Sequence, residues 1–171
     1  LTPRAATLLV ASLRRAHPDV PISVHTHDSA GTGVATMLAA ADAGADSVDG
    51  CVDAMSGLTS QPALGAIVAS QGSTDVGVSL DDINVLSAYW EATRRQYAPF
   101  ECTHSMRATN TDVYTHEIPG GQLSNLYFQA VQNGLSSDDF AKLKAKYAEA
   151  NMALGDIVKV TPSSKVVGDL A

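Results

Sequence analysis

The sequence predicts an α/β fold in which a strand-helix unit is repeated first and a helical extension follows. Three observations carry this. Two β-prone runs begin near residues 22 and 46, about 24 residues apart with a helical stretch between them, which is the period of a βαβ unit in a parallel sheet. Beyond residue 72 the apolar residues recur at helical spacing instead. Alanine is overused, at 26 of 171 residues, and gathers in the helical stretches. Two repeats of this period suit a barrel or a doubly wound sheet.

Each element has its own signal. Residues 3–15 carry Ala6, Leu9, Val10 and Leu13 on a 3-4 repeat, with Thr2 able to cap and Pro3 suited to the first turn, so a helix is expected there. After His17-Pro18-Asp19 the run PISVHT reads as a short strand ending in HTHD. Gly31-Thr32-Gly33 opens a second helix with Val34, Met37, Leu38 and Ala41 as its buried stripe, closed by Gly44. Residues 46–52 form the second strand. The loop DAMSGLTSQP leads to a third helix from Pro62 to about Ser70, and a Gly/Ser-bearing linker, 71–79, follows. Helices are then expected over Leu80–Tyr97, Leu123–Asn133 and Ser137–Leu154. The division is therefore residues 1–72 for the βα part and 73–171 for the helical extension.

Composition excludes several classes. With 45% apolar and 17% charged residues the chain is neither disordered nor fibrous. Its net charge of −7, with no basic cluster, lacks the footprint of a nucleic-acid binder. No run of 18 apolar residues exists to span a membrane. Two cysteines, Cys51 and Cys102, are too few for a stapled secreted scaffold, although one bridge is arithmetically open, and they point to a reducing compartment. High alanine and the lack of a leader before LTPRAATLL fit a bacterial cytoplasm.

The sharpest chemical feature is His25-Thr26-His27. On a strand, residues i and i+2 share a face with side chains roughly 7 Å apart, so two imidazoles there can converge on one ion. At a strand end before a Gly-bearing loop they occupy the rim where βα-barrel sites are built. The bland alternative is a pair of strand-end histidines that only hydrogen-bond, and two ligands alone do not make a metal site. Asp28 faces the other way and is expected to orient the loop or cap the next helix. Gly31-Thr32-Gly33 lacks the third glycine of GxGxxG and the lysine of a P-loop, and tight turning explains it. The run 109–122 is dense in hydroxyl, amide and turn residues, as a loop or short helix that carries function can be. His116 and Glu117 within it are expected on a solvated surface.

The strings HTHDSAGTGVATMLAAADAGADSVDGCVDAMSGLTSQPALGA, YWEATRRQY, NTDVYTHEIPGGQLSNL and GDIVKVTPSSKVVGDLA closely resemble the carboxyltransferase region of the pyruvate carboxylase family, over essentially the whole chain. MSGLTSQP separates this family from related biotin-dependent decarboxylase and transcarboxylase subunits, which share HxH and the PGGQ loop. The resemblance implies the end of a TIM-type (β/α)8 barrel, its last two strands, followed by an α-helical funnel-like extension. It implies residues 1–72 as the barrel part and 73–171 as a conserved carboxylase domain, incomplete at its C-terminal end. His25 and His27 would then hold a divalent metal, zinc or manganese, with an aspartate and a carboxylated lysine from earlier strands outside this chain. The family moves a carboxyl group from carboxybiotin to pyruvate, giving oxaloacetate while the metal stabilises the enolate. Thr111 stands, by motif, where the proton-shuttling hydroxyl is found. Biotin sits on a biotinyl carrier domain and ATP is used by another domain, in a homotetrameric parent enzyme.

The sequence departs from the family pattern at Ser29 and Ala54, for a commoner Thr and Ser, and at Arg107 and Thr2, where Lys is frequent. Arg for Lys keeps charge but changes hydrogen-bond geometry. Other readings stay open: the carboxyltransferase subunit of an oxaloacetate decarboxylase or transcarboxylase, a metal-dependent aldolase or acyl-transfer barrel, and a non-catalytic, barrel-derived interaction module. Two strands cannot close a barrel, so this piece made alone is expected to be poorly soluble and inactive.

Overall fold

The first helix, α1 (Pro3–Ala16), starts as its sequence dictates. Thr2 is extended, its hydroxyl accepts the Ala5 amide at 3.2 Å, and Pro3 occupies the first turn. The computed structural model describes residues 1–72, 77–102 and 108–171; part of the 71–79 linker, and Arg107, lie outside the described residues. The chain forms two compact units, Leu1–Glu101 and Cys102–Ala171.

In the first unit, β1 (Ser23–Val24), α2 (Gly33–Asp42) and β2 (Ser47–Val48) follow α1, and the two strands pair in parallel with Ser23 opposite Ser47 and Val24 opposite Val48. A 3-10 turn (Asp53–Met55), α3 (Leu64–Ser70), α4 (Leu80–Tyr97) and a second 3-10 turn (Ala98–Phe100) complete it. The strands are shorter than the expected 21–26 and 46–52. Past Val24 the chain leaves β2 for the loop that follows it, where Asp28 bridges Leu58 and its amide donates to Ser60 O at 2.9 Å. A third parallel segment was not legible. Cys51 bridges Ala63, donating to Pro62 O and accepting from Leu64 N, both at 2.8 Å, so α3 starts at Leu64 and not at Pro62. A lone bridge leaves no periodic trace.

Arg14, in the last turn of α1, fastens this unit. Its guanidinium donates to Gly44 O (3.2 and 2.8 Å), Pro18 O (2.9 Å), Val20 O (3.0 Å) and the Asp46 carboxylate (2.5 Å). The same Asp46 oxygen accepts the Ile22 amide at 2.7 Å. That backbone bond first, and then Arg14, hold the Asp46 carboxyl below the usual carboxylate range. Gly44, at φ 103, lets α2 end in the left-handed conformation that presents its carbonyl to Arg14.

The core of this unit is Ala6, Val10, Val24, Met37, Ala40 and Ile67. Two members of the expected α1 stripe are outside it: Leu9 and Leu13 are 48% and 40% exposed and line an open apolar groove beside Ile22 and Val24 of the free β1 edge. In α2 the buried face is Thr36, Met37 and Ala40, with Val34 and Leu38 at its margin. The face is turned toward α1, on which α2 packs and where the Thr36 hydroxyl donates to Leu1 O at 3.3 Å. Helix α4 packs on α3 and on the 3-10 turn Asp53–Met55, with Ser87 Oγ accepting the Ala54 amide (3.0 Å) and Arg94 donating to Ala54 O (2.7 Å).

The second unit holds α5 (Val113–His116), α6 (Gly120–Gln132), α7 (Ser137–Ala153) and α8 (Ser163–Leu170). Pro119 precedes α6, which begins at Gly120, earlier than the expected 123. Helix α8 was not anticipated. Ile118, Leu126, Phe140, Tyr147 and Val167 form its core. The fully buried Tyr147 donates to Gln122 Oε1 (3.1 Å), while Gln122 Nε2 donates to Ser164 O (2.6 Å). Burial, with the Glu117 charge adding, pushes the Tyr147 phenol up to about 12. The PGGQ glutamine thus ties α6, α7 and α8 together. Among the described residues no helix is long and apolar enough to cross a membrane.

Two expectations follow. Replacing Arg14 with Met should speed hydrogen exchange at the Asp49 amide, which donates to Val24 O across the strand pair at 3.0 Å, by about tenfold or more; unchanged protection would contradict the clamp. At α7, Ser136 and Asp139 form a reciprocal capping box, and the Ser136 hydroxyl first, then Lys142, lower the Asp139 pKa from 3.8 to about 2. A lowered folded-state pKa contributes stability that is complete above the unfolded value and lost as pH falls through the folded one. Exchange at the first turn of α7 should therefore accelerate between pH 4 and pH 2 more in wild type than in Asp139→Asn; parallel profiles would contradict it.

Candidate functional site

The parallel register sets the first cluster. Because Ser23 faces Ser47, His25 lies level with Asp49, and His25 Nδ1 is 2.7 Å from Asp49 Oδ2. The carboxylate only accepts, so the neutral imidazole carries its proton on Nδ1 and leaves Nε2 bare. His27 repeats the arrangement with a different acceptor, its Nδ1 lying 2.7 Å from Thr59 O. The Gln61 amide nitrogen, 3.4 Å from the same atom, is a donor facing a donor and does not compete. The rings lie edge to face, centroids 5.3 Å apart. Two imidazoles with engaged Nδ1 and free Nε2 are two of the donors that a divalent cation such as zinc takes, so the pair can contribute to a metal site without completing one. Among the described residues no third His, Cys, Asp or Glu completes a cluster with them.

Asp28 does not join the pair. Its Oδ1 accepts the Gly33 amide at 2.7 Å, capping the start of α2 as expected. One repeat later Asp53 Oδ1 accepts the Gly65 amide at 2.8 Å at the start of α3. Both helices carry glycine there because a Cβ at Gly33 would lie 2.5 Å from Pro62 Cγ and 2.7 Å from Asp28 Oδ1, and one at Gly65 would strike the Asp53 carboxylate. Ser29 has a buried hydroxyl without a hydrogen-bond partner among the described residues. Neither Cys51, half-buried, nor Cys102, buried, is in a disulfide.

Thr111 lies in the second unit, exposed in the turn before α5, its carbonyl accepting from Tyr114 N at 3.0 Å. Asp112 beside it forms an ion pair with Lys144 of α7. His116, expected on a solvated surface, is instead 3% exposed. Its Nδ1 accepts the Ile118 amide at 3.0 Å, so Nε2 carries the proton, 3.4 Å from Asp112 Oδ1. Burial foremost, opposed by the Asp112 charge and helped by Lys144, lowers its pKa and keeps the ring neutral at pH 7. The α5 helix turns it inward, whereas Glu117 stays exposed and pairs with Lys159 at 2.6 Å. Sequence reasoning missed Asp49 and Lys144. The 24-residue repeat that separates Ser23 from Ser47 also separates His25 from Asp49 and was the available signal for the first; Lys144 had none.

Comparison with known proteins bears on this arrangement. The HMGL-like family matches residues 1–89, and the conserved carboxylase domain matches residues 113–171. Pyruvate carboxylase 1 of Caenorhabditis elegans is 62% identical, and the mitochondrial pyruvate carboxylase of Rattus norvegicus 56% identical, each over all of this chain and 15% of its own length. The chain thus spans about a seventh of these relatives. The carboxyl transferase domain of Rhizobium etli pyruvate carboxylase, solved with pyruvate, superposes with a TM-score of 0.93 at 49% identity over 99% of this chain and 28% of that one. The expected bacterial cytoplasm is corrected by these relatives, which are animal and fungal and in mammals are named mitochondrial. Alanine content reports close helix packing and carries no address. The chain therefore belongs to the HMGL-like family, as a segment similar over its whole length to the carboxyl transferase region of pyruvate carboxylases.

Proposed function

We propose that this chain is part of a carboxyltransferase that moves a carboxyl group from carboxybiotin to pyruvate, giving oxaloacetate. The observation that carries the reading is the His25 and His27 pair, with both Nδ1 atoms held by Asp49 and by Thr59 O and both Nε2 atoms free. The first unit is then the closing part of a TIM-type barrel. Its three parallel segments in chain order, and the apolar groove at the free β1 edge, support this.

His25 and His27 would hold the divalent metal, zinc or manganese. When bound, such a cation stabilises negative charge developing on the pyruvate carbonyl oxygen. Asp49 and the Thr59 carbonyl orient the two rings and raise their basicity as ligands. Thr111 accepts a proton from the pyruvate methyl and gives its own hydroxyl proton to the biotin ring nitrogen that loses the carboxyl group. A neutral hydroxyl can take and give in one motion without storing charge, which suits it better than His116, whose ring is buried. In this reading the biotinyl carrier and ATP-using domains lie elsewhere in a homotetrameric parent.

Two measurements on the full-length enzyme test the reading. His25→Ala should lose bound metal and Asp49→Asn should weaken metal affinity by about ten- to a hundredfold; wild-type metal content in His25→Ala would remove the ligand assignment. Thr111→Ala should keep its metal and lose oxaloacetate formation by about a hundredfold or more. Unchanged turnover there would end the proton-carrier role.

A further inference from the structure

Resting on the reading of Thr111 as proton carrier, we infer that Asp112 and Lys144 are positioning residues that aim its hydroxyl. Thr111 has no side-chain anchor of its own among the described residues, so its direction is set by the turn it sits in. That turn leads into α5, which has four residues and cannot persist on local bonds alone. Asn110 Oδ1 accepts the Asp112 amide at 3.0 Å, and Asp112 O accepts the Thr115 and His116 amides at 2.8 and 3.0 Å. These bonds shape the turn without fixing it to the rest of the unit.

The fixing contact is the Asp112 carboxylate, immediately after Thr111, on the Lys144 ammonium. Lys144 is a rigid post. It lies between Phe140 and Tyr147 on α7, and both are buried in the core of this unit. Lys144 is itself three-quarters shielded from solvent, so the pair is less screened than a surface pair. Beneath it the neutral Nε2–H of buried His116 faces the other carboxylate oxygen at 3.4 Å, and the Ile118 amide fixes that ring. Glu117 with Lys159 fastens the far end of α5. A carboxylate gripped from a core helix thus holds the backbone of Thr111 in place. Proton transfer needs that precision, because a displacement of about 1 Å can cost about a hundredfold in rate.

The test uses the full-length enzyme with Asp112→Asn, Lys144→Met, Lys144→Arg, the Asn/Met double variant and Thr111→Ala. Expected is a fall in kcat of about ten- to a hundredfold in the first two, with KM for pyruvate, metal content and Tm close to wild type. Lys144→Arg should recover most of the loss, and the double variant should be no worse than either single one, since both act through one contact. A kcat within about twofold of wild type in Asp112→Asn and Lys144→Met would overturn the inference. So would a loss that KM and Tm share, failure of Lys144→Arg to recover, or losses that multiply in the double variant. If Thr111→Ala keeps full turnover, the proton-carrier reading fails; if it is inactive while Asp112→Asn is normal, only the positioning role fails.

Discussion

The parallel register of β1 and β2 is the constraint on which the histidine site depends. It is set outside the strands, by one guanidinium. Arg14 gathers the end of α2, the turn after α1 and Asp46, while Asp46 holds the amide of Ile22 just before β1. Both strands therefore start from the same point, and residues 24 apart stand side by side. A slip of one residue would turn Asp49 to the other face of the sheet and leave His25 without its acceptor. With only two residues in each strand, the ladder is too short to choose this register by its own hydrogen bonds.

The rim of the first unit repeats a second device. Asp28 after β1 and Asp53 after β2 each reach the first turn of the following helix, where a glycine makes room for the carboxylate. Each aspartate satisfies an orphan helix amide and places negative charge at the positive end of the helix dipole. This commits both carboxylates to the helix starts and not to the histidine pair. The second unit uses neutral groups for the same kind of tie: Gln122 joins the Tyr147 hydroxyl to the Ser164 carbonyl within an apolar core.

Legibility followed the range of the interactions. Helices α1, α4 and α7 matched their expected spans closely because Thr2, Ser79 and Ser136 cap them through contacts within three residues. Helix α8 has no clear local signal because SSKVVGDL mixes small, polar and β-branched residues, and burial of Val167 in the core is what holds it. The strands are shorter than their β-prone runs because those residues continue past the point where the neighbouring strand departs. The polar neighbours of His116 point to a surface position, and only the turn of α5 carries its ring into the interior.

The sequence by itself determined the alternation of strand and helix, the helix caps, the HxH pair at a strand end and the family resemblance, since these rest on local spacing and short motifs. The tertiary structure alone decided which nitrogen of each histidine is left free, because the acceptors Asp49 and Thr59 lie 24 and 32 residues away. It also decided that Asp112 meets a lysine 32 residues on and that His116 is buried against it. Such contacts arise when separate elements pack, and no periodicity along the chain records them.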